Sequence, residues 1–193
     1  MEEVHRKDFV AITRALTTQS ASLPPDPYRR VRAELLAAVK DGPHSPPQCP
    51  FVSFAPAAQN DLLNMIGTIA GSEGTPYEGG LFQISLSIPL SYPSQPPDCR
   101  FATKIWHPNV GHDGRICLNI LDEDWSKALS IRTILISVAA LLGSPGQFME
   151  EEGGTSSPLR PEAAEMWLEN SAEFEKTAQE WTRRYAMSVQ TED

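Results

Sequence analysis

An alternation of apolar and polar side chains in the middle of the chain restricts what this sequence can fold into. From residue 82 to residue 88, every second side chain is large and apolar, and glutamine or serine stands between. Period two predicts a β-strand that buries one face. Segments rich in Pro and Gly occupy residues 75–80 and 92–97, and such turns join neighbouring antiparallel strands. The predicted antiparallel meander takes its other strands from residues 51–54, 64–71 and 98–103.

A helix is predicted before this sheet. Val31, Leu35 and Val39 recur at helical spacing, with charged residues on the opposite face. The pattern begins near Tyr28 and is stopped by the pair Gly42-Pro43.

Helical spacing returns in the last third of the chain. Ser130 is a good N-cap for an apolar helix over residues 131–142, which Gly143 closes. A short helix over residues 161–169 follows, and Asn170 begins another. Strands followed by helices predict the α+β class.

The chain divides into a core and two flanking segments. Residues 1–27 are interpreted as an N-terminal extension, with a short amphipathic helix and then a Pro-rich linker. Residues 28–187 form the predicted core, which includes an acidic loop at about residues 144–158. Residues 188–193 are a short tail.

The charge balance excludes several classes of function. The chain has 25 acidic and 16 basic residues, and residues 144–193 alone hold 11 acidic and 4 basic ones. Nucleic-acid binders need clustered Lys and Arg, so no nucleic-acid partner is expected. No apolar run approaches the roughly 18 residues that span a bilayer, and the charged N-terminus lacks the features of a secretory signal. We therefore expect no membrane insertion, and a location in the cytoplasm, the nucleus or both.

The cysteines do not suggest a disulfide framework. Their number is odd, and Cys49, Cys99 and Cys117 lie far apart. Because no pair has the close spacing of a zinc site, we expect neither a metal nor another cofactor. Cys49 and Cys99 are interpreted as packing residues.

Residues 106–121 hold the groups that can do chemistry. Cys117 lies there close in sequence to His107, His112 and Asn109, among turn-forming glycines. Three functions fit these groups. A thiol hydrolase would use a histidine as general base for Cys117. An acyl carrier would hold a thioester on Cys117, with Asn109 stabilising the oxyanion. A non-catalytic binding module would use the segment as a rigid turn. Composition alone does not separate them.

The segment resembles the signature of the ubiquitin-conjugating enzymes. A His-Pro-Asn tripeptide at residues 107–109 stands eight residues before a cysteine in an Ile-Cys-Leu context, and Trp125 follows eight residues later. Further similar blocks occur in the same order as in the family: Pro76-Tyr77-Glu78-Gly79-Gly80, Tyr92-Pro93 with Pro96-Pro97, Ile105-Trp106, the 135–142 helix, Glu180-Trp181-Thr182 and Tyr185-Ala186. The resemblance implies an N-terminal helix, a four-stranded antiparallel meander and C-terminal helices.

The resemblance also implies a reaction and its partners. An activating enzyme would pass ubiquitin, or a ubiquitin-like protein, to Cys117 as a thioester, and a ligase would bring a protein substrate whose lysine attacks it. Asn109 would stabilise the oxyanion or hold the neighbouring loop. His107 would order the turn, and Trp106 would pack beside the incoming lysine. An inactive relative that serves as a binding adaptor is the alternative within the family.

Several positions depart from the family pattern. Asn119 and Ser157 stand where many relatives carry an Asp, so two carboxylates near the attacking lysine are missing. We hypothesise that the glutamates at 150–152, in a longer loop, overhang Cys117 and take over their role. The positions that meet ligases in the family also differ in part, with Ser94 in place of an aromatic residue and Lys127 in place of Pro, which suggests a dedicated ligase. The expected ligase-binding residues are Arg29, Arg32, Ser94, Gln95, Lys127 and Ala128.

Overall fold

The computed structural model describes residues 27–41, 51–143 and 158–187. Along the chain the elements are α1 (Pro27–Asp41), β1 (Val52–Pro56), β2 (Asn64–Ala70), β3 (Leu81–Ser87), β4 (Asp98–Phe101), α2 (Ile131–Gly143), α3 (Pro161–Glu169) and α4 (Ser171–Tyr185). One turn of 3-10 helix, Asn119–Leu121, lies between β4 and α2. The four strands form one antiparallel sheet in the order β1-β2-β3-β4. The predicted α+β class and the four-stranded meander are confirmed.

The alternation that predicts β3 decides which face of the sheet is buried. Phe82, Ile84 and Leu86 are buried, whereas the polar side chains between them are exposed or half-buried. In the register of the sheet, Ile84 stands opposite Gly67 of β2 and Phe101 of β4. The apolar side chains of neighbouring strands therefore meet on one face.

Helix α2 covers this face. It lies against β1 and β2, and its apolar stripe, including Ile134, Leu135 and Val138, is fully buried. Each such side chain contributes roughly 1.5–3 kcal/mol on burial. Gly67 allows the close approach, because a Cβ there would stand 2.5 Å from Leu135 Cδ2.

Local signals set the helix ends. The Ser130 hydroxyl oxygen accepts the Thr133 N–H at 3.1 Å at the start of α2. The Asn170 side chain accepts the Glu173 N–H at 3.2 Å at the start of α4. Both residues cap as predicted.

Strands β2 and β4 are shorter than predicted, and β2 ends at Ala70 rather than at residue 71. β4 ends at Phe101 rather than at residue 103. The N–H groups of Ala102 and Thr103 both point to the carbonyl of Gln83, at 2.8 and 3.3 Å, so the ladder stops there.

Other predictions concern segments outside the described residues. These are the N-terminal helix and linker within residues 1–26, the acidic loop at 144–157 and the tail at 188–193. Within the part of the chain that the structure describes, no helix has the length and apolar character needed to cross a membrane.

Candidate active site

A tight turn carries the residues of the signature. After β4 the chain folds back on itself, with an isolated bridge between Val110 and Ile116 and a hydrogen bond from Gly111 N–H to Arg115 O at 2.9 Å. Gly114 has a φ of +80°, and a Cβ there would lie 2.3 Å from Phe101 O. Glycine is thus required at this corner.

Cys117 directly follows this turn. It is half-buried, and its N–H donates to Asn109 O at 2.9 Å. Cys99, by contrast, is 5% exposed and its thiol donates to Pro97 O at 3.6 Å. Burial raises the pKa of the Cys99 thiol far above its usual range. Of the two cysteines in the described part of the chain, Cys117 is therefore the accessible one.

His107 lies beneath the turn and is fully buried. Its Nδ1 accepts the N–H of Asn109 at 3.0 Å, so Nε2 carries the proton and donates to Leu141 O at 3.3 Å. Burial, assisted by the nearby charge of Arg160, lowers the pKa of His107 to about 4, although the Leu141 carbonyl acts in the opposite direction. With both ring nitrogens hydrogen-bonded to the backbone, this histidine is not placed to act as a base, and its role in ordering the turn stays a prediction.

Asn109 links the histidine to the cysteine. Its N–H is bonded to His107 and its carbonyl to the N–H of Cys117. Its side-chain oxygen is buried and has no hydrogen-bond partner among the described residues. The backbone of Asn109 therefore holds the turn, while its carboxamide is not fully used by the fold.

Arg160, at the start of α3, also contacts the turn. Its guanidinium donates from Nη1 to Ile105 O at 2.7 Å and from Nη2 to Gly111 O at 3.3 Å. It also lies 5.3 Å from the ring centroids of both Trp106 and Trp181. Sequence reasoning missed this residue. The available signal was an arginine at a helix N-terminus, where the helix dipole disfavours a positive charge.

Trp106 has less open surface than its expected role suggests. The indole is half-buried, packs against Trp181 at a centroid distance of 5.5 Å and an interplanar angle of 54°, and contacts Arg160. Its carbonyl accepts the Tyr77 hydroxyl at 2.8 Å. The contact with an incoming lysine stays a prediction.

The two loops expected to face ligases are tied together. Trp125 Nε1 donates to Pro93 O at 3.0 Å, and the Tyr92 hydroxyl donates to Glu34 of α1 at 2.7 Å. Glu34 also accepts the N–H of Ile131 at 2.8 Å. The expected ligase-binding residues are exposed except for Arg32, which is half-buried; they are Arg29, Ser94, Gln95, Lys127 and Ala128.

Within the described ranges, no group of three or more His, Cys, Asp or Glu side chains is arranged to hold a metal ion. His112 is exposed and its Nε2 lies 2.8 Å from Glu162 Oε1, which links the turn to α3.

The overall sequence agrees with this geometry. A sequence model of the family described as "Ubiquitin-conjugating enzyme" matches residues 44–182. The chain belongs to the ubiquitin-conjugating enzyme family. It is 40% identical to "Ubiquitin-conjugating enzyme E2 13" of Schizosaccharomyces pombe over 159 residues, which are 82% of this chain and 97% of that protein.

Two further relatives support the assignment. Identity to "Ubiquitin-conjugating enzyme E2 N" of Macaca fascicularis is 48% over 120 residues, covering 62% of this chain and 74% of that protein. The E2 domain of a ubiquitin conjugating enzyme from Toxoplasma gondii superposes with a TM-score of 0.69 at 40% identity, covering 82% of this chain and 97% of that domain. Members of the ubiquitin-conjugating enzyme family are thus similar to this chain in both sequence and fold.

Two departures from the family pattern can be placed only in part. Asn119 is exposed and begins the 3-10 turn, two residues after Cys117. Ser157 and the glutamates at 150–152 lie outside the described residues. The hypothesis that this loop overhangs Cys117 stays a prediction.

Proposed function

We propose that this protein accepts ubiquitin or a ubiquitin-like protein from an activating enzyme as a thioester on Cys117 and transfers it, with a ligase, to a lysine of a protein substrate. The observation that carries the proposal is the backbone hydrogen bond between two residues of the signature, Asn109 and Cys117. The N–H of Cys117 donates to the carbonyl of Asn109 at 2.9 Å, so the backbone holds the half-buried cysteine beside Asn109.

Loading requires no base on the enzyme. The donor is already a thioester, so the sulfur of Cys117 attacks its carbonyl carbon and the thiol of the activating enzyme leaves. A thiol of ordinary reactivity suffices for this exchange, because the thioester that is broken and the thioester that is formed have similar energies.

Transfer to lysine forms a tetrahedral oxyanion. The amine nitrogen attacks the thioester carbon, the oxygen takes the negative charge, and the sulfur of Cys117 leaves as the isopeptide bond forms. The carboxamide of Asn109 is the proposed donor to this oxygen, and losing one such donor typically costs on the order of 100-fold in rate. Since His107 has both nitrogens engaged, it does not take the proton of the lysine.

The other functions considered lack such support. A thiol hydrolase needs a histidine that takes the proton of the thiol. The imidazole of His107 is fully buried and bonded at both nitrogens, so it cannot take that proton. An inactive adaptor has no use for an accessible thiol in this position.

The test is formation of a thioester. The protein is incubated with activating enzyme, ATP and ubiquitin, or in parallel with ubiquitin-like proteins and their activating enzymes, and analysed on gels with and without reductant. We expect an adduct that reductant removes and that Cys117→Ala abolishes. Cys99→Ala is the matched control and should retain the adduct. Absence of an adduct with every modifier, or an adduct that survives in Cys117→Ala, would refute the proposal.

A further inference from the structure

Among the described residues, Arg160 is a buried cation with no buried carboxylate beside it. Its residue is 3% exposed, and the nearest recorded carboxylate is Glu162, at 3.9 Å from Arg160 Nε and 45% exposed. The Nε group has no hydrogen-bond partner among the described residues. Desolvation lowers the pKa of the guanidinium, against the partly compensating charge of Glu162. Taking such a group out of water costs several kcal/mol, so its contacts need to offset that cost.

Packing alone does not require an arginine here. The guanidinium packs against the indoles of Trp106 and Trp181, with each ring centroid 5.3 Å from Cζ. These cation–π contacts recover part of the desolvation cost. A long apolar side chain would pack against the same two rings without a buried charge. What an apolar side chain cannot provide is the hydrogen bonds.

The hydrogen bonds of Arg160 reach both ends of the loop formed by residues 105–111. Ile105, whose carbonyl accepts Nη1 at 2.7 Å, precedes the His-Pro-Asn tripeptide by two residues. Gly111, whose carbonyl accepts Nη2 at 3.3 Å, follows it by two. The backbone N–H of Arg160 donates to Pro108 O at 3.0 Å, in the middle of the tripeptide. One residue thus binds the loop at its beginning, middle and end, and a planar fork of fixed geometry is the side chain suited to two carbonyls.

The fixed loop continues to the thiol. Asn109 lies between the bound positions, and its carbonyl accepts the N–H of Cys117 at 2.9 Å. We propose that Arg160 is a positioning residue for transfer, which holds both ends of the 105–111 loop so that the carboxamide of Asn109 keeps its place beside Cys117 when lysine attacks the thioester. This inference rests on the proposed function, and it assigns Arg160 no contact with the substrate.

The first test separates transfer from loading. The variant Arg160→Met keeps the length of the side chain and removes the hydrogen bonds. We expect thioester formation within about twofold of wild type, because a reactive thioester donor exchanges readily with a thiol. Single-turnover discharge to free lysine should be at least about 10-fold slower, because misplaced donors lose much of their effect. Arg183→Met, which removes an exposed arginine of α4, is the control and should discharge at the wild-type rate. Discharge by a folded Arg160→Met within twofold of wild type would overturn the proposal.

A double-mutant cycle shows whether Arg160 acts through Asn109. Asn109→Ala alone should slow discharge by on the order of 100-fold. If the arginine only positions this carboxamide, Asn109→Ala combined with Arg160→Met should be no slower than Asn109→Ala alone. Multiplied effects would mean that Arg160 acts independently of Asn109, and would also overturn the proposal.

Two measurements cover the remaining outcomes. If Arg160→Met does not fold, Arg160→Lys is measured instead, because lysine keeps the charge and reaches only one of the two carbonyls. A rate of discharge to free lysine several-fold below wild type supports the proposal. A rate equal to wild type refutes it. If wild type forms no thioester, the proposed function fails by itself. Hydrogen exchange of the backbone amides then tests the loop. The positioning is supported if the N–H groups of Asn109 and Cys117 exchange at least about 10-fold faster in Arg160→Met than in wild type while those of β3 are unchanged. Unchanged exchange at Asn109 and Cys117 refutes it.

Discussion

The buried imidazole of His107 gives a direct test of how the turn responds to acid. In an unfolded chain a histidine has a pKa of about 6.5, whereas burial lowers the pKa of His107 to about 4. Between these pH values the unfolded state binds one proton more than the folded state, so stability rises with pH. This contribution is complete above about pH 6.5 and is lost as the pH falls to about 4.

The size of this effect follows from the separation of the two pKa values. At about 1.4 kcal/mol per pH unit, a separation of about 2.5 units corresponds to roughly 3 kcal/mol of unfolding free energy. The full figure applies because His107 is 0% exposed and solvent does not screen it. We therefore expect wild type to lose about 3 kcal/mol through this residue between pH 7 and pH 4.

The perturbation is His107→Gln, followed by urea unfolding at several pH values from 7 to 4. A glutamine offers one acceptor for Asn109 N–H and one donor for Leu141 O, the two bonds that His107 makes, and it does not titrate. Between pH 7 and pH 4, the unfolding free energy of His107→Gln should therefore fall by about 3 kcal/mol less than that of wild type. Carboxylates with lowered pKa, such as Asp61 and Asp113, act equally in both proteins and cancel in the difference.

A matched control removes the other histidine of the turn. His112→Gln changes an exposed side chain and should retain the steep loss of stability in acid. The reasoning is refuted if wild type and His107→Gln show the same dependence of unfolding free energy on pH, since His107 would then titrate alike in the folded and unfolded chain.

Two further substitutions test contacts that shape the site. Gly114→Ala should lower the unfolding free energy by about 2 kcal/mol or more, because it adds a clash with Phe101 O at 2.3 Å to the strain of a positive φ. Gly74→Ala is the control, because Gly74 has a φ of +73° and open space around it, and it should lower the unfolding free energy by only about 1 kcal/mol. Equal losses for the two variants in urea unfolding would contradict the clash at Gly114. Glu34→Gln should cost about 1–2 kcal/mol, because it removes the charge that accepts the Tyr92 hydroxyl; an unchanged urea midpoint would show that this contact adds nothing.

Local residues are what made most of the fold predictable. The alternation that sets β3 and the caps at Ser130 and Asn170 depend on positions within a few residues of one another, and each lies where its pattern predicted. The order of strands followed from short turns in the same way. The end of β4 was missed because Ala102 and Thr103 are diverted by Gln83 of the neighbouring strand, which no local pattern reveals.

The site was predictable only as far as the family signature extends. His107 and Asn109 lie on one turn and Cys117 directly follows it, and their spacing in the signature is what made them candidates. Arg160 lies 55 positions from Ile105 and 49 from Gly111, its two carbonyl partners. Contacts of this kind arise when α3 packs beside the turn, so sequence spacing carries no trace of them.

A hydrogen bond from Trp125 to Pro93 joins two loops, and the Tyr92 hydroxyl joins one of them to Glu34 of α1. A surface whose loops are already joined to each other and to α1 loses little conformational freedom when another protein docks on it. Docking then requires little rearrangement of the backbone, and selectivity depends on which side chains stand at the exposed tips. A partner that tolerates Ser94 and Lys127 would bind a ready-made surface, and exchanging these two side chains would redirect binding without remodelling the loops.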